Sequence, residues 1–171
     1  HAGDRWLSVG HSQGGHGALS AGELAEDYAP ELDLVATLAL APAAMFENVY
    51  GDIDPIVTGI LTAMSLYGGA SEHPDIHLAD YVTDELDGSS DVFETGCLPQ
   101  IIDKLAPLAA ADKLFTNDPR NSDTAAHSLL LANDVGEAKV DAPLLLVSGT
   151  AYDRVVIDRV RDLYACVRPG R

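Results

Sequence analysis

Cysteine is nearly absent from the 171 residues: only Cys97 and Cys166 occur, far apart and outside any C-x-x-C spacing. That excludes a cysteine-based zinc site and leaves open two thiols, one disulfide, or bridges to other sequence. Basic residues are also scarce, with 10 Lys and Arg against 27 Asp and Glu, a formal charge of −17. Such a balance repels phosphate backbones and anionic membrane surfaces, so no nucleic-acid partner is expected. It suits a protein kept soluble at high salt or outside a cell. No apolar run reaches the roughly 18 residues needed to cross a bilayer, so no stable membrane insertion is expected. The glycine patterns that cradle nucleotides are missing as well. G-x-G-x-x-G fails where Ser20 replaces the last glycine, and no G-x-x-x-x-G-K-[ST] can be drawn. Internal repeats and low-complexity tracts are absent. The chain opens on His1 without a signal-peptide pattern, which reads as a piece of a longer protein.

What is present is 47% hydrophobic sequence, enough for one domain with a real core. Residues 5–9 (RWLSV) form a short apolar run ending at glycine, and residues 14–28 carry Leu19, Leu24 and small residues at helical spacing. After Pro30, residues 34–40 (LVATLAL) read as a buried parallel strand, and residues 143–147 (PLLLV) repeat the pattern. Residues 154–167 follow, with Val155, Val156, Val160, Leu163 and Val167 on one helical face. Strands alternating with helices predict an α/β layered sheet.

Between residues 45 and 138 the character turns helical. Asp54-Pro55 before IVTGILTAMSLYGG combines an N-cap, a proline at the first helical position and a glycine stop. Further helices are expected near 77–86, 98–108 and 123–132. The organisation expected is therefore a core of residues 1–44 and 139–171 with a helical cap, 45–138, inserted into it.

One stretch, VGHSQGGH at residues 9–16, carries chemistry. Gly10-His11-Ser12-Gln13-Gly14 satisfies G-x-S-x-G, in which a serine stands on a turn so tight that glycine is required two residues to either side. Its position between an apolar strand and a helix is the context in which the pattern has meaning. The helix N-terminus then faces any oxyanion formed at Ser12, with the backbone N–H of Gln13 as the expected first donor. A serine hydroxyl also needs a histidine base and an orienting carboxylate. Asp153, just after the 143–147 strand, stands where the acid is expected in the order Ser, acid, His. Asp158, inside the following helix, is the weaker candidate.

No histidine follows Asp153. Of His1, His11, His16, His73, His77 and His127, the pair His11 and His16 is too close to Ser12 in sequence to act as its base and is expected to pack around the turn. His127 lies in the inserted region. His73 and His77 flank Asp75, but Pro74 breaks the helix that would align them on a metal, so a surface loop and no metal site are expected.

On DRWLSVGHSQGGHGAL, YAPELDLVATLALAPAA, APLLLVSGTAYDRVV and LYACVRPGR, the chain resembles the secreted lipase and esterase branch of the α/β-hydrolase superfamily, found in actinobacteria and fungi. The resemblance covers both flanks, while the middle is similar only in being helical. It implies Ser12 as nucleophile, Asp153 as triad acid, an ester or lipid substrate, no cofactor and a secreted origin. The family often spaces its acid as G-T-x-D, which would select Tyr152; Arg154-Val155-Val156 restores the match and favours Asp153. The resemblance also implies a partial α/β-hydrolase fold, lacking N-terminal strands and the last strand with its Gly-His segment, so that this chain alone is expected to be almost inert. An unpaired edge on the 5–9 strand would invite self-association. An acyltransferase or peptidase using the same serine, or a non-catalytic interaction protein on the same scaffold, are the alternatives.

Overall fold

The structure, a computed structural model, describes residues 3–44, 53–151 and 157–167. It divides into two compact units, residues 1–52 with 134–171, and residues 53–133.

The first unit is built on three parallel strands, β1 (Arg5–His11), β2 (Asp33–Leu40) and β3 (Leu144–Val147), in the order β1-β2-β3. Ser8 pairs with Thr37 and His11 with Leu40, while Thr37 and Leu40 pair with Leu144 and Val147. One face of this sheet packs against helix α1 (Gln13–Tyr28). The buried side of α1 is Gly15, Ala18, Leu19 and Gly22, an i, i+3, i+4, i+7 stripe of mostly small residues that lets the helix lie close to the strands. Ser8 Oγ donates to the Ala18 carbonyl at 3.0 Å. Leu24, grouped with Leu19 by its sequence spacing, is 57% exposed instead, because it falls off this stripe. Helix α7 (Ile157–Val167) adds Leu163, which packs with Leu19, Ala39, Ala44 and Val135. On the opposite face Leu7, Val9, Leu40, Leu145 and Val147 are exposed.

Where the chain returns from the helical unit, Glu23 of α1 accepts the Gly136 N–H at 2.7 Å. Gly136 has φ +101, and an added Cβ would meet Leu163 at 2.4 Å, so only glycine fits there. Burial raises the Glu23 carboxyl above its usual range, and bonds from the Gly136 and Ala138 amides offset only part of this.

The second unit contains α2 (Pro55–Glu72), α3 (Asp84–Asp87), α4 (Val92–Thr95), α5 (Leu98–Ala110) and α6 (Ala125–Ala132). Asp54 caps α2 as its sequence predicts, accepting the N–H groups of Ile56 at 2.8 Å and Val57 at 3.3 Å. The expected glycine stop does not operate: α2 continues through Gly68 and Gly69 to Glu72. Gly69 has a packing role, since a Cβ there would lie 2.3 Å from Leu129 of α6. The single helix expected over 77–86 is instead a 3-10 turn, Leu78–Asp80, followed by α3. Val82 between them forms an antiparallel bridge to Phe115, while Thr83 accepts the Leu86 N–H at 3.1 Å and donates to the Lys113 carbonyl at 2.7 Å. Ile60, Leu66, Leu86, Ile101, Leu105 and Leu114 form the centre of this unit's core.

Two stability measurements follow from this packing. Leu105→Ala removes a fully buried side chain and is expected to cost about 3 kcal/mol, read as a lower urea midpoint with unchanged slope. Glu23 contributes stability that is fully present below the carboxylate's ordinary pKa and is lost as pH rises through its raised value. Wild type should therefore lose stability relative to Glu23→Gln as pH rises through that window, a gap read from paired urea titrations; a gap independent of pH would contradict the assignment.

Candidate active site

Ser12 stands between the end of β1 and the first residue of α1 with φ 56° and ψ −119°. A non-glycine residue here is strained by about 1–3 kcal/mol and persists only where its surroundings hold it. Both of its backbone groups are held. Its N–H donates to the Leu40 carbonyl at 2.9 Å, and its carbonyl accepts from the His16 and Ala43 amides, each at 3.1 Å. The bend is thus fastened to the segment that leaves β2. There Ala41 also has positive φ, 42°, and donates its N–H to the Val147 carbonyl of β3 at 2.6 Å.

The two motif glycines differ in what they do. A Cβ on Gly10 would lie 1.8 Å from the Gly14 carbonyl oxygen and 2.8 Å from the Gly15 nitrogen, an impossible overlap. A Cβ on Gly14 would meet nothing within 4 Å. The steric argument for glycine on both sides of the serine therefore holds at Gly10 and fails at Gly14. The second crowded position is Gly15, where a Cβ would come within 2.9 Å of Pro42 Cα and 3.1 Å of the Leu40 oxygen. Pattern reasoning passed over Gly15 because its neighbour is 27 residues away in sequence.

Gln13 is the first residue of α1, so its N–H has no carbonyl one helical turn earlier to bond and lies at the positive end of the helix dipole. His11 is exposed, and His16 is half-buried with Nδ1 2.9 Å from the Ala43 carbonyl. In the helical unit, His73 and His77 are exposed, matching the expected surface loop. His127, on α6, has a buried Nδ1 with no hydrogen-bond partner among the described residues. Asp158 sits in the first turn of α7 and pairs with Arg161 at 2.6 Å, a surface role. Asp153, its neighbours 152–156 and His1 lie outside the described residues. Among the described residues, no group of three or more His, Cys, Asp or Glu could hold a metal, and no helix is long and apolar enough to cross a membrane. Cys97 and Cys166 are both exposed free thiols.

The chain matches the model of the secretory lipase family over residues 5–157. No curated protein sequence matches it. Among solved structures it is similar to a variant of the rice cell wall degrading esterase LipA from Xanthomonas oryzae, with TM-score 0.78 and 18% identity over 95% of this chain and 47% of that one. The unsubstituted LipA gives TM-score 0.70 and 19% identity over 94% of this chain and 46% of that one. Candida antarctica lipase A gives TM-score 0.72 and 18% identity over 94% of this chain and 40% of that one. The fold is thus that of the α/β-hydrolases, and the chain spans less than half the length of these structures.

The contrast between the glycines is directly measurable. Gly10→Ala is expected to destabilise the protein by about 3 kcal/mol or more, since backbone must move to admit the methyl group. Gly14→Ala, in the first turn of a helix with open space, is expected to be neutral or to stabilise by about 0.5–1 kcal/mol. Urea midpoints of the two variants compare them.

Proposed function

The chain belongs to the secretory lipase family, and from that premise we propose that it is the serine-bearing part of an enzyme that hydrolyses carboxylic esters through an acyl-enzyme. One observation carries the reading: Ser12 is held at φ 56° on a strand-to-helix bend, with the Gln13 N–H at the start of the helix beside it. In this reading Ser12 Oγ attacks the acyl carbon while a histidine removes its proton. The resulting oxyanion is stabilised by the Gln13 N–H and the helix dipole. The histidine then protonates the departing alcohol, and water repeats the sequence to release the acid. Asp153 orients the histidine and stabilises its charged form.

The substrate in this reading is lipid-like, in keeping with a lipase family. Action outside the cell accompanies this reading, because the family is a secretory one.

The experiment is ester hydrolysis by the full-length protein on p-nitrophenyl esters of rising acyl length. Ser12→Ala is expected to lower kcat on the order of 10⁴-fold or more with little change in KM, and Asp153→Asn on the order of 10⁴-fold. Turnover that survives Ser12→Ala would refute the reading.

A further inference from the structure

The geometry points to His16 as a positioning residue that holds Ser12 in its strained conformation by capturing the peptide groups of Ala43; this inference rests on the reading of Ser12 as nucleophile. Ala43 lies in the segment leaving β2 and is gripped at both ends. Its N–H donates to the Ser12 carbonyl at 3.1 Å, and its carbonyl lies 2.9 Å from His16 Nδ1. The His16 amide also donates to the Ser12 carbonyl at 3.1 Å. Ser12, Ala43 and His16 thus form a closed ring of three hydrogen bonds in which the imidazole is the only side chain.

The ring matters because nothing covalent ties residues 41–44 to the bend. The opposing segment is itself strained, with Ala41 at φ 42°, and it packs Pro42 against Gly15. If that segment relaxes, the Ser12 carbonyl loses one of its two donors and the Leu40 carbonyl is free to move away from the Ser12 N–H. A serine at φ 56° then has less to hold it there, and Oγ is presented correctly for a smaller fraction of the time. Misplacement of that kind lowers the rate of acyl transfer and leaves ground-state binding of substrate largely alone.

The chemistry of the contact also fixes which nitrogen carries hydrogen. A carbonyl only accepts, so Nδ1 must be the protonated nitrogen. With Nδ1–H donating to Ala43, the ring acts on the bend through this contact. An asparagine at position 16 places its amide nitrogen near Nδ1 and can make the same donation, whereas phenylalanine keeps a flat ring of similar size and cannot.

The test compares His16→Phe, His16→Asn and Ser12→Ala in the full-length protein, assayed on a short p-nitrophenyl ester well below each variant's melting temperature. His16→Phe should lower kcat about tenfold, the effect of losing one such hydrogen bond, with KM within about twofold. His16→Asn should recover most of that loss. Wild-type kcat in His16→Phe overturns the inference, since a merely structural role would change only the melting temperature. Complete inactivity of both His16 variants with the fold retained also overturns it, because the ring would then be taking part in the chemistry. If His16→Phe does not fold, the wild-type protein decides: ¹⁵N NMR should show His16 Nδ1 protonated and scalar-coupled to the Ala43 carbonyl, and an unprotonated Nδ1 overturns the inference. Turnover surviving Ser12→Ala refutes the underlying reading instead, so the two failures are distinguishable.

Discussion

The Ser12 N–H bond to the Leu40 carbonyl is the contact on which the rest of the first unit converges. It continues the pairing of β1 with β2 one residue past His11 and Leu40, at the point where the chain must turn into α1. The turn places a non-glycine residue in the left-handed half of backbone space, at a cost of about 1–3 kcal/mol. Three backbone hydrogen bonds to Ser12, each contributing about 0.5–1.5 kcal/mol net, are of the size needed to offset that cost. The close approaches at Gly10 and Gly15 follow from the same constraint. A helix that starts just after a strand ends must run back over the sheet: a side chain on Gly10 would strike the Gly14 carbonyl at the start of that helix, and one on Gly15 would strike Leu40 and Pro42 at and just past the end of β2.

The strands and most helices were legible in the sequence because their signals are local. Apolar runs bounded by glycine or proline mark β1, β2 and β3, and Asp54-Pro55 marks the start of α2 with the residues that cap it. The serine was legible for the same reason, its pattern lying within five residues. What stayed hidden depends on contacts distant in the chain. Gly69 resembles a stop until Leu129 is seen against it, and the 77–86 segment resembles one helix until Val82 pairs with Phe115. The buried stripe of α1 leaves a weak trace in sequence because, apart from Leu19, it is made of glycine and alanine, which contribute little to an apolar pattern. The link between His16 and Ala43 has no signature in sequence at all.

The heavy negative charge is met in part by local ion pairs. Arg5 with Asp33 and Lys113 with Glu85 are exposed pairs, whose attraction is screened by water and opposed by the entropy of two long side chains. Arg120 is different: its guanidinium makes a bidentate pair with Asp118, and both are two-thirds or more shielded. Burial alone would raise the Asp118 carboxyl, but its bonds to Arg120 outweigh this and hold it below the usual carboxylate range. Asp118 therefore stabilises the helical unit above the ordinary carboxylate pKa and loses that contribution as pH falls. Glu23, in the sheet unit, has the opposite sign. Acidification thus weakens one unit through Asp118 while sparing the other at Glu23.

The backbone hydrogen bonds that hold the serine bend among the described residues lie within β1, α1, the ends of β2 and β3, and residues 41–44. The side chains beneath them, Ser8, Leu19, Thr37 and Ala39, belong to the covered face of the sheet. The geometry of Ser12 is consequently a property of a short, contiguous piece of fold. In the proposed reaction its reactivity is not, since the acid that orients the base lies more than a hundred residues away in sequence. Positioning and activation of the nucleophile then have separate structural origins, so a substitution that disturbs one need not disturb the other.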